Sequence, residues 1–130
     1  DHNHAILGGG GVCFNGGYST VKSCRVSNNT APNGGGLYIR HQEVFIGTEL
    51  NIDSNSASVN GGGIIIDAAS YTLHHSSLTR NMAVSGGGMF IEGSTSVVVL
   101  NYNNMYENIV SSYGGGIYLS DGSLSQNFNN

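Results

Sequence analysis

The sequence predicts an all-β fold, a right-handed parallel β-helix with three strands per coil and about four to five coils, from features that repeat in phase. Gly-Gly-Gly occurs at residues 9–11, 34–36, 61–63, 86–88 and 114–116, a period of 25 to 28 residues, and apolar residues follow every time. Asn29, Asn55, Asn81 and Asn108 form a second series, spaced by 26, 26 and 27 residues. Val26, Ile52, Leu78 and Met105 stand three positions before them, and Ala31, Ala57, Ala83 and Val110 two positions after. Such self-similarity means that one small unit is stacked on copies of itself. Linker glycine has no in-phase apolar partners, so a flexible spacer does not account for the pattern.

The first strand of each coil follows the glycines: Val12-Cys13-Phe14, Leu37-Tyr38-Ile39, Ile64-Ile65-Ile66, Met89-Phe90-Ile91 and Ile117-Tyr118-Leu119. Its β-branched and aromatic content favours extended backbone, and its side chains alternate between faces. A second strand is expected around residues 19–21, 44–46, 71–73 and 97–99, and a third at 24–26, 50–52, 76–78 and 103–105, running into the asparagine. Alternation assigns to the core Val12, Phe14, Val26, Leu37, Ile39, Ile46, Leu50, Ile52 and Ile64. It adds Ile66, Leu73, Leu78, Met89, Ile91, Val99, Met105, Ile117 and Leu119. The asparagines are expected at a corner where Asn tolerates unusual backbone angles, their amides bonding coil to coil as a ladder. The glycines are expected at another corner, where a Cβ would meet the next coil.

Composition narrows the function. Four Lys and Arg against eight Asp and Glu give a net charge of −4, and no basic face of the kind that neutralises phosphate can be assembled. No run approaches a membrane span, and no stretch has the layout of a secretion signal. The chain reads as a mature or excised piece, with residues 1–130 forming a single β-helix module that is a fragment or stacking unit of a longer assembly. Cys13 and Cys24 are too few for a disulfide framework or a thiolate zinc site. Asn28-Asn29-Thr30 is a glycosylation acceptor, at Asn28, if the chain passes through a secretory pathway.

In its Gly-Gly-Gly-Leu and apolar-x-x-Asn strings the chain resembles the repeat of chlamydial polymorphic outer-membrane proteins, with Gly-Gly-Ala-Ile and Phe-x-x-Asn signatures. The likeness extends from Gly9 to Leu119. Gly stands in place of Ala in the first signature, and Val26, Ile52, Leu78 and Met105 in place of Phe in the second. Related repeats occur in large surface proteins of the pectin-lyase-like superfamily, and the resemblance implies a β-helix serving as an adhesive or structural stalk.

Some β-helices cleave polysaccharides. The Asn-Thr-Asp, Asp-Asp, Gly-His-Gly and Arg-Ile-Lys strings of pectin hydrolases are missing here. A lyase needs a base beside carboxylates that hold calcium. Arg40, Asp67 and Glu92, each fourth after its glycines, fall on consecutive coils and could contact an ion or a sugar. The plainer expectation is an Arg40–Asp67 ion pair with Glu92 solvated, and Arg80–Glu107 as a surface pair. His74-His75 and the His2/His4 pair are expected to be solvent-exposed rather than metal ligands, because adjacent strand residues face opposite ways. No metal and no cofactor is expected, and the chain is not expected to be an enzyme.

Two surfaces remain. Alternation turns Cys13, Tyr38, Ile65, Phe90 and Tyr118 outward as an apolar stripe, either a partner surface or one covered by another segment. In the second strand the outward column is expected to be Thr20, Phe45, Thr72, Val98 and Ser125, too irregular for ice binding. Open coil ends invite pairing, so copies are expected to stack end to end or the chain to continue. The expected function is an extracellular or cell-surface structural or adhesive module, a stalk or filament segment with a glycan or protein ligand. The alternatives are a carbohydrate-active or carbohydrate-binding β-helix and, third, an ice-binding solenoid.

Overall fold

The computed structural model describes residues 1–127, 129 and 130, with Gln42 described by its backbone alone. The early coils contain β1 (Val12–Lys22), β2 (Arg25–Ser27), β3 (Thr30–Asn33), β4 (Leu37–Thr48), β5 (Asn51–Asp53) and β6 (Ser56–Asn60). The next holds β7 (Ile64–Asp67), β8 (Ser70–His74), β9 (Ser77–Thr79) and β10 (Met82–Ser85). Then come β11 (Met89–Glu92), β12 (Val97–Asn101), β13 (Asn104–Tyr106), β14 (Ile109–Tyr113), β15 (Ile117–Leu119) and β16 (Ser123–Asn127). Every pairing is parallel, and the strands form three sheets, a parallel β-solenoid. Among the described residues there is no helix.

The three sheets differ from those expected in one respect. The post-glycine strand and the second strand belong to a single eight-stranded sheet, continuous through β1 and β4 and broken by a turn in later coils. The second sheet is β2, β5, β9 and β13, and the third is β3, β6, β10 and β14. The third is built from the residues after each ladder asparagine, which read as linker because two to three small side chains carry little β-propensity. Here pairing to neighbouring coils overrides propensity.

The core runs along the solenoid axis, with Leu37, Ile39, Ile64, Ile66, Met89 and Ile91 on one wall and Ile52 and Leu78 on another, all buried. Burying each such side chain contributes about 1.5–3 kcal/mol. In the second strand, facing is as expected at Thr20, Thr72, Leu73 and Ser125 but reversed in two coils. Phe45 and Val98 point in with Tyr71 and Leu124, whereas Ile46 is 37 % exposed and Val99 only half-buried. The cause is loop length. The register aligns Phe45 with Tyr71 and Val98, which lie nine, eight and ten residues beyond their last glycine. A parity counted from the glycines therefore slips. Val12 and Leu119, also expected inside, are exposed because they sit on the outermost rungs; Phe14, Val26, Met105 and Ile117 are half-buried for the same reason.

Between the second and third sheets, the asparagines bond exhaustively. Asn55 donates its main-chain N–H and one Nδ2 proton to Oδ1 of Asn81, at 3.0 and 3.1 Å, and its other Nδ2 proton to the Val26 carbonyl at 2.9 Å. Its own Oδ1 accepts both bonds from Asn29, each at 3.0 Å. Asn81 repeats the pattern toward Asn108 and the Ile52 carbonyl, and Asn3 extends the series to a fifth rung. The unusual backbone angle falls one residue earlier than expected. His2, Asn28, Ser54, Arg80 and Glu107 are left-handed, with φ between 53° and 58°, and the ladder residues are not. The left-handed residue turns the chain and aims the next side chain inward.

A second, shorter ladder at the other end of the second sheet was not foreseen. Leu50 N–H donates to Ser76 Oγ at 2.9 Å and Ser76 N–H to Asn103 Oδ1 at 2.9 Å. Asn103 N–H and Nδ2 donate to Asn129 Oδ1 at 2.8 and 3.1 Å. Left-handed Ser23, Glu49, His75 and Tyr102 precede its members. The spacing of Asn103 and Asn129 was a usable signal, hidden because Leu50 and Cys24 fill the same position in earlier coils.

The glycine corner is steric. Gly61 has φ +64°; a Cβ on Gly62 would lie 2.5 Å from the Met82 carbonyl oxygen, and one on Gly63 2.6 Å from that of Gly88. No side chain fits there.

Two stability outcomes follow from these contacts. Asn55→Ala leaves Asn29 N–H, Asn29 Nδ2 and the Val26 carbonyl without their partner, and urea unfolding should show a loss on the order of 1–3 kcal/mol. Tyr71 is fully buried, stacked on Phe45 at 5.0 Å, and its hydroxyl has no hydrogen-bond partner among the described residues. Tyr71→Phe removes that stranded polar group and should raise stability by about 1 kcal/mol in the same assay.

Candidate functional site

The outward face of the post-glycine strands carries two adjoining rows. Register places Cys13, Tyr38, Ile65, Phe90 and Tyr118 in one and Asn15, Arg40, Asp67 and Glu92 in the other. Alternate residues of one strand share a face, so the rows run side by side down the solenoid.

The apolar row is not the open stripe that alternation suggests. Ile65 is 1 % and Phe90 6 % exposed, although neither belongs to the central core. They fold over the glycine corner: a Cβ on Gly34 would stand 2.8 Å from Ile65 Cγ2, and one on Gly86 2.8 Å from Phe90 Cβ. Aromatic rings close the row at its ends. Tyr118 stacks on Phe90 at 5.2 Å and on Tyr113 at 5.9 Å, and the Arg40 guanidinium lies 5.8 Å from the Tyr38 ring centroid. The parts of this row open to a partner are thus Cys13 and the half-buried Tyr38 and Tyr118.

In the polar row, no Arg40–Asp67 ion pair forms among the described residues. Arg40 instead leans on Tyr38, and its Nε is enclosed without a hydrogen-bond partner among the described residues. Asp67 and Glu92 stand on adjacent rungs, and burial, with the Asp67 charge beside it, pushes the Glu92 carboxyl above its ordinary range. Burial, and then the charges of Asp67 and Glu92, raise Tyr38 likewise.

The strongest ion cluster lies elsewhere, on the second sheet. Arg80 meets Asp53 at 2.7 Å, Arg25 meets it at 3.5 Å, and Thr79 Oγ1 donates to it at 3.0 Å. The Arg80–Glu107 pair expected from sequence is present only as a longer contact, 3.9 Å. Burial of Asp53 works to raise its pKa, but hydrogen bonds from Arg80 and Thr79 outweigh it and hold the carboxyl below the usual aspartate range.

Exposed apolar surface is found on the third sheet. Met82, Val84 and Ile109 are exposed on its outer face, where with Ser56, Ser58 and Ser111 they border a shallow groove. The face grades along the axis from Thr30, Ser56 and Ser58 to Met82 and Ile109, in register. On the first sheet's second half the outward column is Thr20, Ile46, Thr72, Val99 and Ser125, which mixes branched apolar side chains with hydroxyls.

His74 Nδ1 faces Asn101 Nδ2 at 3.4 Å, His75 stacks on Tyr102 at 5.1 Å, and His4 Nδ1 meets Thr30 Oγ1 at 2.8 Å. Among the described residues no group of three or more His, Cys, Asp or Glu is placed to hold a metal ion. Cys13 and Cys24 are exposed and unbridged.

No family model matches the chain, and no solved structure matches it. Over 118 residues, 88 % of the chain, it is 31 % identical to a metabotropic glutamate receptor-like protein R of Dictyostelium discoideum. The chain spans 7 % of that relative's length.

The charge clusters set a pH dependence with opposite signs. Asp53, with its folded pKa depressed, supplies stability that is fully present above the unfolded aspartate pKa of about 4 and is lost as pH falls below it. Glu92, with its folded pKa raised, loses an unfavourable interaction as it protonates. Urea midpoints measured from pH 7 down to pH 3 should fall for the wild type and fall less for Asp53→Asn. Glu92→Gln should be more stable than wild type at pH 7.

Proposed function

We propose that the chain is a segment of an extracellular structural or adhesive β-helical stalk, in which the solenoid sets length and spacing and no residue is assigned a catalytic role. The observation that carries this reading is the polarity of the asparagine ladder. Through its main-chain N–H and one Nδ2 proton each interior member donates to Oδ1 of the following asparagine, and its own Oδ1 accepts from the preceding one. Among the described residues, Asn108 N–H is left without an acceptor at one end and Asn3 Oδ1 without a donor at the other. The two ends are therefore complementary, and each also presents apolar side chains, Val12 and Leu119. A further coil or a second copy would satisfy both, and a head-to-tail contact of this kind propagates into a filament.

The pectin-lyase-like superfamily, with right-handed coils, and a repeat akin to that of the chlamydial surface proteins are part of this proposal, supported by the glycine and asparagine signatures at their corners. The Dictyostelium relative, receptor-like by its name and far longer than this chain, supports placement within a large cell-surface protein. Lateral contacts would come from the third sheet around Met82, Val84 and Ile109, with Tyr38 and Tyr118 beside the glycine corner.

Sedimentation and electron microscopy of the chain should show lengthwise oligomers or fibres, and Ile117→Lys, on the last apolar rung, should dissolve them while leaving the circular dichroism spectrum unchanged. A monomer that persists at high concentration with both ends solvated overturns the lengthwise reading. A second reading, contact with a surface glycan through Tyr38, Arg40, Asp67 and Glu92, is favoured by the half-buried Tyr38 ring with Arg40 against it and two carboxylates on adjacent rungs beside it. Glycan binding abolished by Arg40→Ala would support it.

A further inference from the structure

We propose that Asn28 is an N-glycosylation site, and that its oligosaccharide projects from the corner between the second and third sheets, beside the polar half of the third sheet's face. The inference rests on the extracellular reading above. The transfer joins Asn28 Nδ2 to the anomeric carbon of a lipid-diphosphate-linked oligosaccharide. The bond from that carbon to the diphosphate oxygen breaks, lipid diphosphate leaves, and one Nδ2 proton passes to a base of the transferase.

Asn28-Asn29-Thr30 supplies the acceptor pattern, and the fold divides its two asparagines between opposite fates. Asn29 is buried, with its Nδ2 committed to Asn55 and its Oδ1 to Asn3. A sugar there would break the ladder. Asn28 is exposed, and its backbone N–H is bonded to the Asp53 carbonyl at 3.2 Å, so the turn is held by the main chain. Its side-chain amide has no hydrogen-bond partner among the described residues. Its φ of +56° is a conformation that asparagine tolerates and that directs the side chain away from the ladder. Thr30 faces outward, exposed, on β3. The corner positions on the following coils, Ser54, Arg80 and Glu107, share with Asn28 a left-handed backbone but no side-chain type, so the turn itself requires no particular side chain in this column. A glycan at Asn28 would therefore cost the fold nothing and would shield Thr30, Ser56 and Ser58. Met82, Val84 and Ile109, farther along the axis, would stay open for contact.

The test imposes the secretory route, so that it does not depend on where the native protein resides. The full chain is expressed in eukaryotic cells behind a cleavable secretion signal and ahead of a tag that carries its own acceptor sequence. Mass spectrometry should find hexose-containing species at Asn28 that an amidase converts to Asp. Thr30→Ser should retain them and Thr30→Ala abolish them, and the deglycosylated chain should unfold at the wild-type midpoint. An unmodified Asn28 beside an occupied tag, or sugar that persists at Asn28 in Thr30→Ala, overturns the proposal. Should the extracellular reading alone be wrong, the secreted fusion carries sugar at Asn28 and the native protein none.

Discussion

The asparagine amide at the corner between the second and third sheets is the interaction on which this solenoid depends. A coil of about 26 residues has no helix and few charges with which to fix its position on the next, and parallel pairing alone would permit slippage by one residue. The buried side chain removes that freedom. It has two donors and one acceptor oxygen, and every one of these is used between coils: toward the following asparagine, toward the carbonyl of the preceding coil, and from the preceding asparagine. A shift of one position would strand all of them in a buried site, each at a cost of about 1–3 kcal/mol.

The two sequence landmarks turn out to be halves of one contact. A Cβ on Gly36 would lie 3.1 Å from Asn55 Nδ2, and one on Gly63 3.1 Å from Asn81 Nδ2. The first four triplets end against the amide that belongs to the following coil. Glycine is needed there first because the next coil's glycine carbonyl would lie 2.6 Å from a Cβ on Gly36 or Gly63, and the amide packs into the same space that glycine leaves. Changes at the two positions act on the same interface, so their effects on stability should not add.

Function is confined to what this frame leaves outside. The row following the glycines is largely withdrawn from solvent by its own corner, since Ile65 and Phe90 occupy room that the missing Cβ atoms vacate. Exposed apolar side chains lie instead on the third sheet, at Met82, Val84 and Ile109, opposite the short inward residues Ala31, Ala57 and Ala83. The polar row beside Tyr38 is held apart from self-neutralisation. Arg40 lies against a ring, and Asp67 stands beside Glu92, so among the described residues the row holds no internal ion pair.

From the sequence alone, the period, the parallel stacking, the glycine and asparagine corners and most of the core were legible, because each depends on a residue type recurring at a fixed interval. Leu37, Ile39, Ile64, Ile66, Met89 and Ile91 follow their glycines without an intervening loop, and alternation places them correctly. What the sequence left open lay beyond a variable connection or between residues far apart in the chain. The facing of Phe45 and Ile46 depends on the number of residues between the glycines and the second strand, which changes from coil to coil. Asp53 gained Arg80 and Arg25 rather than Arg40 gaining Asp67, since ion pairing follows side-chain direction at a corner and not rung number. The burial of Ile65 and Phe90 arises from the curvature of the chain around three glycines, a property of the assembled coil that no single strand contains.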